Sequence, residues 1–224
     1  MSGKKIIALH GFLGHPRDFG NYKDLNIYAP YIFLTQLGPL KQWARRFNSS
    51  ISHRPILLGY SMGGRLALHC LLQDSFRFKA AIIIAAHPGF REKEIRYLRR
   101  YQDYTWSRKF FSLEWDELMN EWNNVPALKG SPVPKRLESN FDRNSLSLAM
   151  RYFSLANQEF LIPEINKLDV PIMWIAPEKE QQNIHGLKLA HSQSQLHLVK
   201  GSHRLIFEHE QQIIELINKF VEKI

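Results

Sequence analysis

The chain has 224 residues, of which 30 are basic and 21 acidic, for a formal net charge of +9, and 44% are apolar. That size and balance suit one domain with a sizeable core and exclude a disordered or fibrous chain. The longest apolar runs, such as 80–86, are far too short to cross a membrane as helices. The one cysteine, Cys70, rules out an internal disulfide and points to a reducing cytoplasm. Excess positive charge suits nucleic acid, an anionic membrane or an anionic small molecule. No more than two basic residues are consecutive, and no zinc-finger spacing or aromatic RNA-binding signature occurs. We expect no nucleic acid and no membrane; the charge is compatible with an anionic small-molecule partner but does not single one out. A basic surface kept for solubility is the plainer alternative.

In chain order, "KKIIALHGF" (4–12) reads as a buried strand ending in a glycine turn. Its two lysines and short apolar run mimic the start of a signal peptide, but no small-residue cleavage site follows. A weaker strand at 26–33 is interrupted by Pro30, and 37–47 has helical spacing. A buried strand at 55–61 leads into a helix at 62–73. Further strands are predicted at 78–87, 170–178 and 195–201. The last element, 206–221, is an amphipathic helix with Ile206, Ile213, Ile214, Ile217 and Phe220 on one face. Alternating strands and helices predict an α/β fold, a mostly parallel sheet with helices on both faces. Between Pro88 and Asp169 the pattern is helical throughout, rich in tryptophan and tyrosine. We read one domain over 1–224, with a core of 1–88 and 169–224 and a helical cap of about 89–168 inserted before the penultimate strand.

"GYSMGGR" (59–65) joins a predicted strand to a predicted helix. A sharp turn there exposes its apex side chain and needs small residues on either side, as Gly59 and Gly63 are around Ser61. Ser61 is then a nucleophile, and the N–H of Met62 at the helix start an oxyanion donor. The plainer reading makes Ser61 only a helix cap. "GSHRLIFEHE" (201–210) places His203 between the last strand and the last helix. Of the ten histidines, it alone fits the order serine, acid, histidine. The acid is sought after the strand at 170–176, where Glu178 and Glu180 are candidates and Glu180 is preferred. No histidine–carboxylate cluster has metal-ligand spacing, and no dinucleotide or phosphate loop occurs, so neither metal nor cofactor is expected.

With "LHGFLG" (9–14) after the first strand, these motifs resemble the α/β-hydrolase superfamily over essentially the whole chain. The resemblance implies Phe12 as the second oxyanion donor. "GYSMGGR" and "HPGF" followed by "REKEIRYLRRYQDYTW" narrow it to the 2-succinyl-6-hydroxy-2,4-cyclohexadiene-1-carboxylate (SHCHC) synthases of menaquinone biosynthesis. That family eliminates pyruvate from a tricarboxylate, 2-succinyl-5-enolpyruvyl-6-hydroxy-3-cyclohexene-1-carboxylate. The resemblance implies Ser61 as base with His203 and Glu180, and Tyr60, Arg65, Arg96 and Trp122 as substrate-binding residues.

Arg65 lies one helical turn after Ser61, on the same face, where a guanidinium can pair with a carboxylate. A solvated helix arginine is the plainer reading. Arg96 shares a face with Arg99 or Arg100. Trp122, and after it Trp106, either lines the pocket or fills the cap. The family's third cap arginine falls near Glu138, with Arg136 or Arg143 as replacements, and Asn123 stands where an aromatic is expected. The Asp-x-Pro-Gly-x-Gly loop expected after the second strand is replaced by "APYIFLTQLGPL" (29–40). The alternative function is an esterase, thioesterase or C–C hydrolase of the same fold acting on an acidic substrate. A non-catalytic binding protein is a third.

Overall fold

A computed structural model describes residues 4–22, 25–32 and 37–224. Apolar runs without polar alternation form strands that are buried on both faces. Four of them are β1 (Ile6–Leu9), β3 (Ile56–Tyr60), β4 (Ala80–Ile84) and β5 (Ile172–Pro177), whereas the edge strand β6 (Gln195–Val199) alternates polar and apolar residues and fully buries only Val199. The sixth, β2, is only Ile27–Tyr28. It is shorter than the expected 26–33 because Pro30 lacks the N–H a ladder needs. Phe33 lies outside the described residues, as do residues 33–36 of the "APYIFLTQLGPL" stretch.

All pairs are parallel and the sheet order is β2-β1-β3-β4-β5-β6. Strand residues alternate between two cores. Ile7, Leu9, Leu57 and Trp174 pack with helices α1 (Leu40–Ser49) and α2 (Met62–Gln73). Ile6, Ala8, Leu58 and Ile175 pack on the other side. There the partners are Ile213, Ile217 and Phe220 of the closing helix. That helix breaks at His209 into α7 (Leu205–Glu208) and α8 (Glu210–Lys223), where one continuous helix was expected. The backbone at His209 leaves helical geometry, with φ −129° and ψ 40°.

Between β4 and β5 the chain is helical: α3 (Lys93–Ser112), α4 (Trp115–Asn123), α5 (Arg143–Tyr152) and the short α6 (Ile162–Ile165). Phe110, Leu118, Leu146 and Phe153 from this stretch join the core that contains α1 and α2. Among the described residues no helix is long and apolar enough to cross a membrane.

Candidate active site

Parallel strands bring the loops at their carboxyl ends to one edge, and that edge carries the candidate site. Ser61, at the end of β3, has φ 54° and ψ −114°, the strained apex of a tight strand-to-helix turn. The turn is possible because its neighbours lack side chains. A Cβ on Gly63 would sit 2.0 Å from the Leu9 carbonyl oxygen, and one on Gly59 would sit 2.5 Å from the Gly63 carbonyl oxygen. The Ser61 N–H donates to Ile84 O at 2.8 Å, which pins the apex to β4.

Ser61 Oγ lies 2.7 Å from His203 Nε2, and His203 Nδ1 lies 2.7 Å from Glu180 Oε1. With Nδ1–H donating to the carboxylate, Nε2 is left to accept a hydrogen bond from the Ser61 hydroxyl. Glu178 is exposed and is not brought to the histidine. Tyr60 is buried and its hydroxyl donates to His203 O at 3.1 Å. Burial pushes the Tyr60 phenol well above its usual pKa, so it stays a donor. Glu208 tightens the same turn by accepting from both the N–H and the hydroxyl of Ser202. Those two bonds, the hydroxyl's first, hold the Glu208 carboxyl below the usual range.

These groups open onto a cavity of about 830 Å³ lined by both the sheet edge and the helices between β4 and β5. Phe12 and Met62 are on its wall. Met62 opens α2, whose first turn leaves amides without intrahelical acceptors. His10, before the loop, is buried and structural: Nδ1 pairs with Gly11 O at 2.8 Å and Nε2 accepts from Ile32 N at 3.0 Å.

Arg65 is on the wall, not in solvent. Its Nη2 donates to Phe153 O at 2.6 Å, and its Nη1 is buried without a partner among the described residues. Burial first, then the nearby Arg99 guanidinium, lowers its pKa to about 10, still cationic at neutral pH.

The structure does not bring Arg96 to the cavity. Its Nε donates to Ala156 O at 3.3 Å, and Arg99, one turn on, is the α3 arginine on the wall. The face of α3 toward the cavity is set by Asp103 and Trp106, which lie four and seven residues after Arg99. Asp103 is buried and accepts from Arg99 Nε at 2.8 Å and from Ser154 Oγ at 2.7 Å. Arg136 lines the cavity, bound through both Nη atoms to Asp18 at 2.8 Å, whereas Arg143 holds the backbone at Phe110 and Leu113. Trp122 lies against Phe12, Trp106 and Phe110 with ring centroids 5.0–5.3 Å away, and both tryptophans reach the wall.

His87, after β4, also lines the wall and was missed by sequence reasoning, since ten histidines give no local signal. Its Nδ1 accepts from Gly89 N at 3.0 Å, and burial, with Arg65 and Arg99 nearby, lowers its pKa to about 4. Arg204 is a further wall residue that was missed, although it directly follows His203. Among the described residues no cluster of three or more His, Cys, Asp or Glu is placed to hold a metal.

No family model matches the chain. In sequence it is 24% identical over 194 residues to a 2-succinyl-6-hydroxy-2,4-cyclohexadiene-1-carboxylate synthase of Klebsiella pneumoniae, covering 78% of this chain and 77% of the relative. It is equally 24% identical over 212 residues to one of Yersinia enterocolitica, covering 84% and 77%. Among solved structures it matches MenH from S. aureus with a TM-score of 0.84 at 19% identity, over 98% of this chain and 94% of that one. It matches carboxylesterase CesB from Bacillus subtilis with a TM-score of 0.69 at 15% identity, over 98% and 84%. The chain has the α/β-hydrolase fold, and over most of its length it is similar in sequence to SHCHC synthases.

Proposed function

We propose that this chain is an SHCHC synthase, a lyase of menaquinone biosynthesis that eliminates pyruvate from 2-succinyl-5-enolpyruvyl-6-hydroxy-3-cyclohexene-1-carboxylate. The sequence relatives support this reading, and one observation carries it: Arg65. A simple ester hydrolase needs a serine, a base and oxyanion donors. It has no use for a buried guanidinium one turn from the serine with an unpartnered Nη1. A substrate with several carboxylates supplies that partner through a charge-assisted pair.

The steps follow from the hydrogen-bond chain. Ser61 gives its proton to His203 Nε2, and Glu180 steadies the imidazolium that forms. The serine oxygen takes a ring proton. The electrons of that C–H bond build the new ring double bond, and the C–O bond to the enolpyruvyl group breaks. His203 returns its proton to the leaving group, which ends as pyruvate. Proton count and charge on the triad are restored. The N–H groups of Phe12 and Met62 serve the oxyanion that develops on the substrate, each worth roughly 10²–10³ in rate. Residues 89–168 act as the cap that closes the cavity, and Tyr60 and Trp122 shape its wall. In this reading the partner is a small polyanion, and the lone buried Cys70 suits a reducing cytoplasm.

The test is pyruvate release from freshly generated substrate, as initial rates above the blank, for wild type, Ser61→Ala and Arg65→Ala. We expect Ser61→Ala to abolish release and Arg65→Ala to raise KM roughly tenfold to a hundredfold. Wild type no faster than the blank would leave the esterase or thioesterase reading in its place.

A further inference from the structure

Four arginines among the described residues line the cavity: Arg65, Arg99, Arg136 and Arg204. Two of them are neutralised by the protein itself. Arg99 pairs with Asp103, and Arg136 pairs through both Nη atoms with Asp18. Arg65 and Arg204 have no carboxylate partner among the described residues.

Arg204 is only 6% exposed, yet its guanidinium is held entirely by uncharged acceptors. Nη1 donates to Pro132 O at 3.1 Å and Ser131 Oγ at 3.3 Å, and Nη2 donates to Asn123 Oδ1. Nε makes no hydrogen bond among the described residues and is not one of the buried unsatisfied atoms. The group is thus fixed in place by neutral partners while its charge stays uncompensated. A buried cation without a counter-ion is costly unless a ligand brings the anion. Asn123, one of the three holders, stands where the resemblance leads one to expect an aromatic.

Arg204 also directly follows His203, the group that hands a proton to the departing enolpyruvyl fragment in the reaction above. That fragment carries its own carboxylate. We propose that Arg204 is a carboxylate subsite that receives the carboxylate of the leaving group, and then of pyruvate. The identity of this occupant rests on the elimination reading. The existence of a carboxylate subsite rests on the geometry alone.

The experiment uses the whole chain with sodium pyruvate, following saturation transfer to the pyruvate methyl signal in an NMR titration, with Arg204→Met, Arg204→Gln and Asn123→Ala. Arg204→Gln keeps a donor for the neutral acceptors but removes the charge, so it reads the subsite even where Arg204→Met fails to fold. We expect both Arg204 variants to weaken pyruvate binding roughly tenfold or more, and Asn123→Ala by less than about threefold. Equal weakening by Asn123→Ala would make Arg204 a holder of the wall and overturn the proposal. So would absence of pyruvate binding to the wild type. Arg204-dependent pyruvate binding together with no pyruvate release from the substrate would keep the subsite and sink the elimination reading.

Discussion

Glu180 and Glu178 lie two residues apart after β5, and only one reaches His203. The 3-10 turn that begins at Glu178 swings Glu180 Oε1 to 2.7 Å from Nδ1 and leaves Glu178 facing outward. A neutral amide at 180 lets the imidazole settle in the wrong tautomer and removes the charge that steadies its protonated form. Glu180→Gln should therefore lower kcat roughly 10³–10⁴-fold with a small effect on KM. Glu178→Gln should leave both within about twofold, because exposed charges away from a site change little. Pyruvate-release kinetics on the two variants check this, and a larger loss at 178 would reverse the assignment. Much of the candidate site's geometry was legible at the residue level. Ser61, His203 and Glu180 stood out because their order and their places at strand ends are constrained. Arg96 was not separable from Arg99 by sequence, because residues three apart share a helix face and only the rotation of α3 decides which meets the cavity.

At the scale of elements, β3, the Ser61 turn and α2 are held together by the absence of side chains. The helix at 62–73 was readable to its ends, since a strand of unbroken apolar residues runs straight into a glycine-flanked turn. The break between α7 and α8 was not readable, because the apolar stripe continues across His209 and periodicity is blind to a single non-helical residue. β2 was overestimated because β-branched and aromatic residues there outvoted Pro30. The glycine requirement is testable by two alanines. At Gly63 the new Cβ meets the backbone of β1, with Leu9 O at 2.0 Å, so the strand and helix must part. At Gly186 it meets nothing nearer than Arg91 Nη2 at 3.9 Å, although φ is +86°. Gly63→Ala should cost about 3 kcal/mol or more and abolish turnover. Gly186→Ala should cost only about 1–2 kcal/mol of left-handed strain and leave turnover intact. Urea unfolding and pyruvate release report both. Comparable losses at the two sites would show that the close approach at Gly63 is relieved cheaply.

Across the whole molecule, a chain with net charge +9 buries several groups that cannot easily accept more positive charge. His10 lies just before the cavity-lining Gly11–Gly14 loop, His69 on α2 one turn beyond Arg65, and His87 on the cavity wall. Burial lowers all three from 6.5 to about 4, with Arg65 adding to the effect at His69 and His87. In the unfolded chain each ring takes up a proton near pH 6.5, while in the folded chain it resists until near pH 4. Above 6.5 neither state is protonated and the rings impose no pH dependence. As pH falls below 6.5 the unfolded state binds more protons, so stability declines, levelling off only below about 4. For the deeply buried His10 and His69 the linkage amounts to about 3 kcal/mol each, enough to threaten a domain of ordinary stability. His69 is the ring to remove, because it is buried on α2 and does not line the cavity. Carboxylates also titrate on the way to acid, so the comparison is between variants. Urea midpoints from pH 8 down to pH 4 should fall for wild type, and less steeply for His69→Gln, the gap widening below pH 6.5 toward about 3 kcal/mol. Parallel curves would mean that His69 protonates as readily in the folded chain as in the unfolded one, and the acid sensitivity would then have to lie elsewhere.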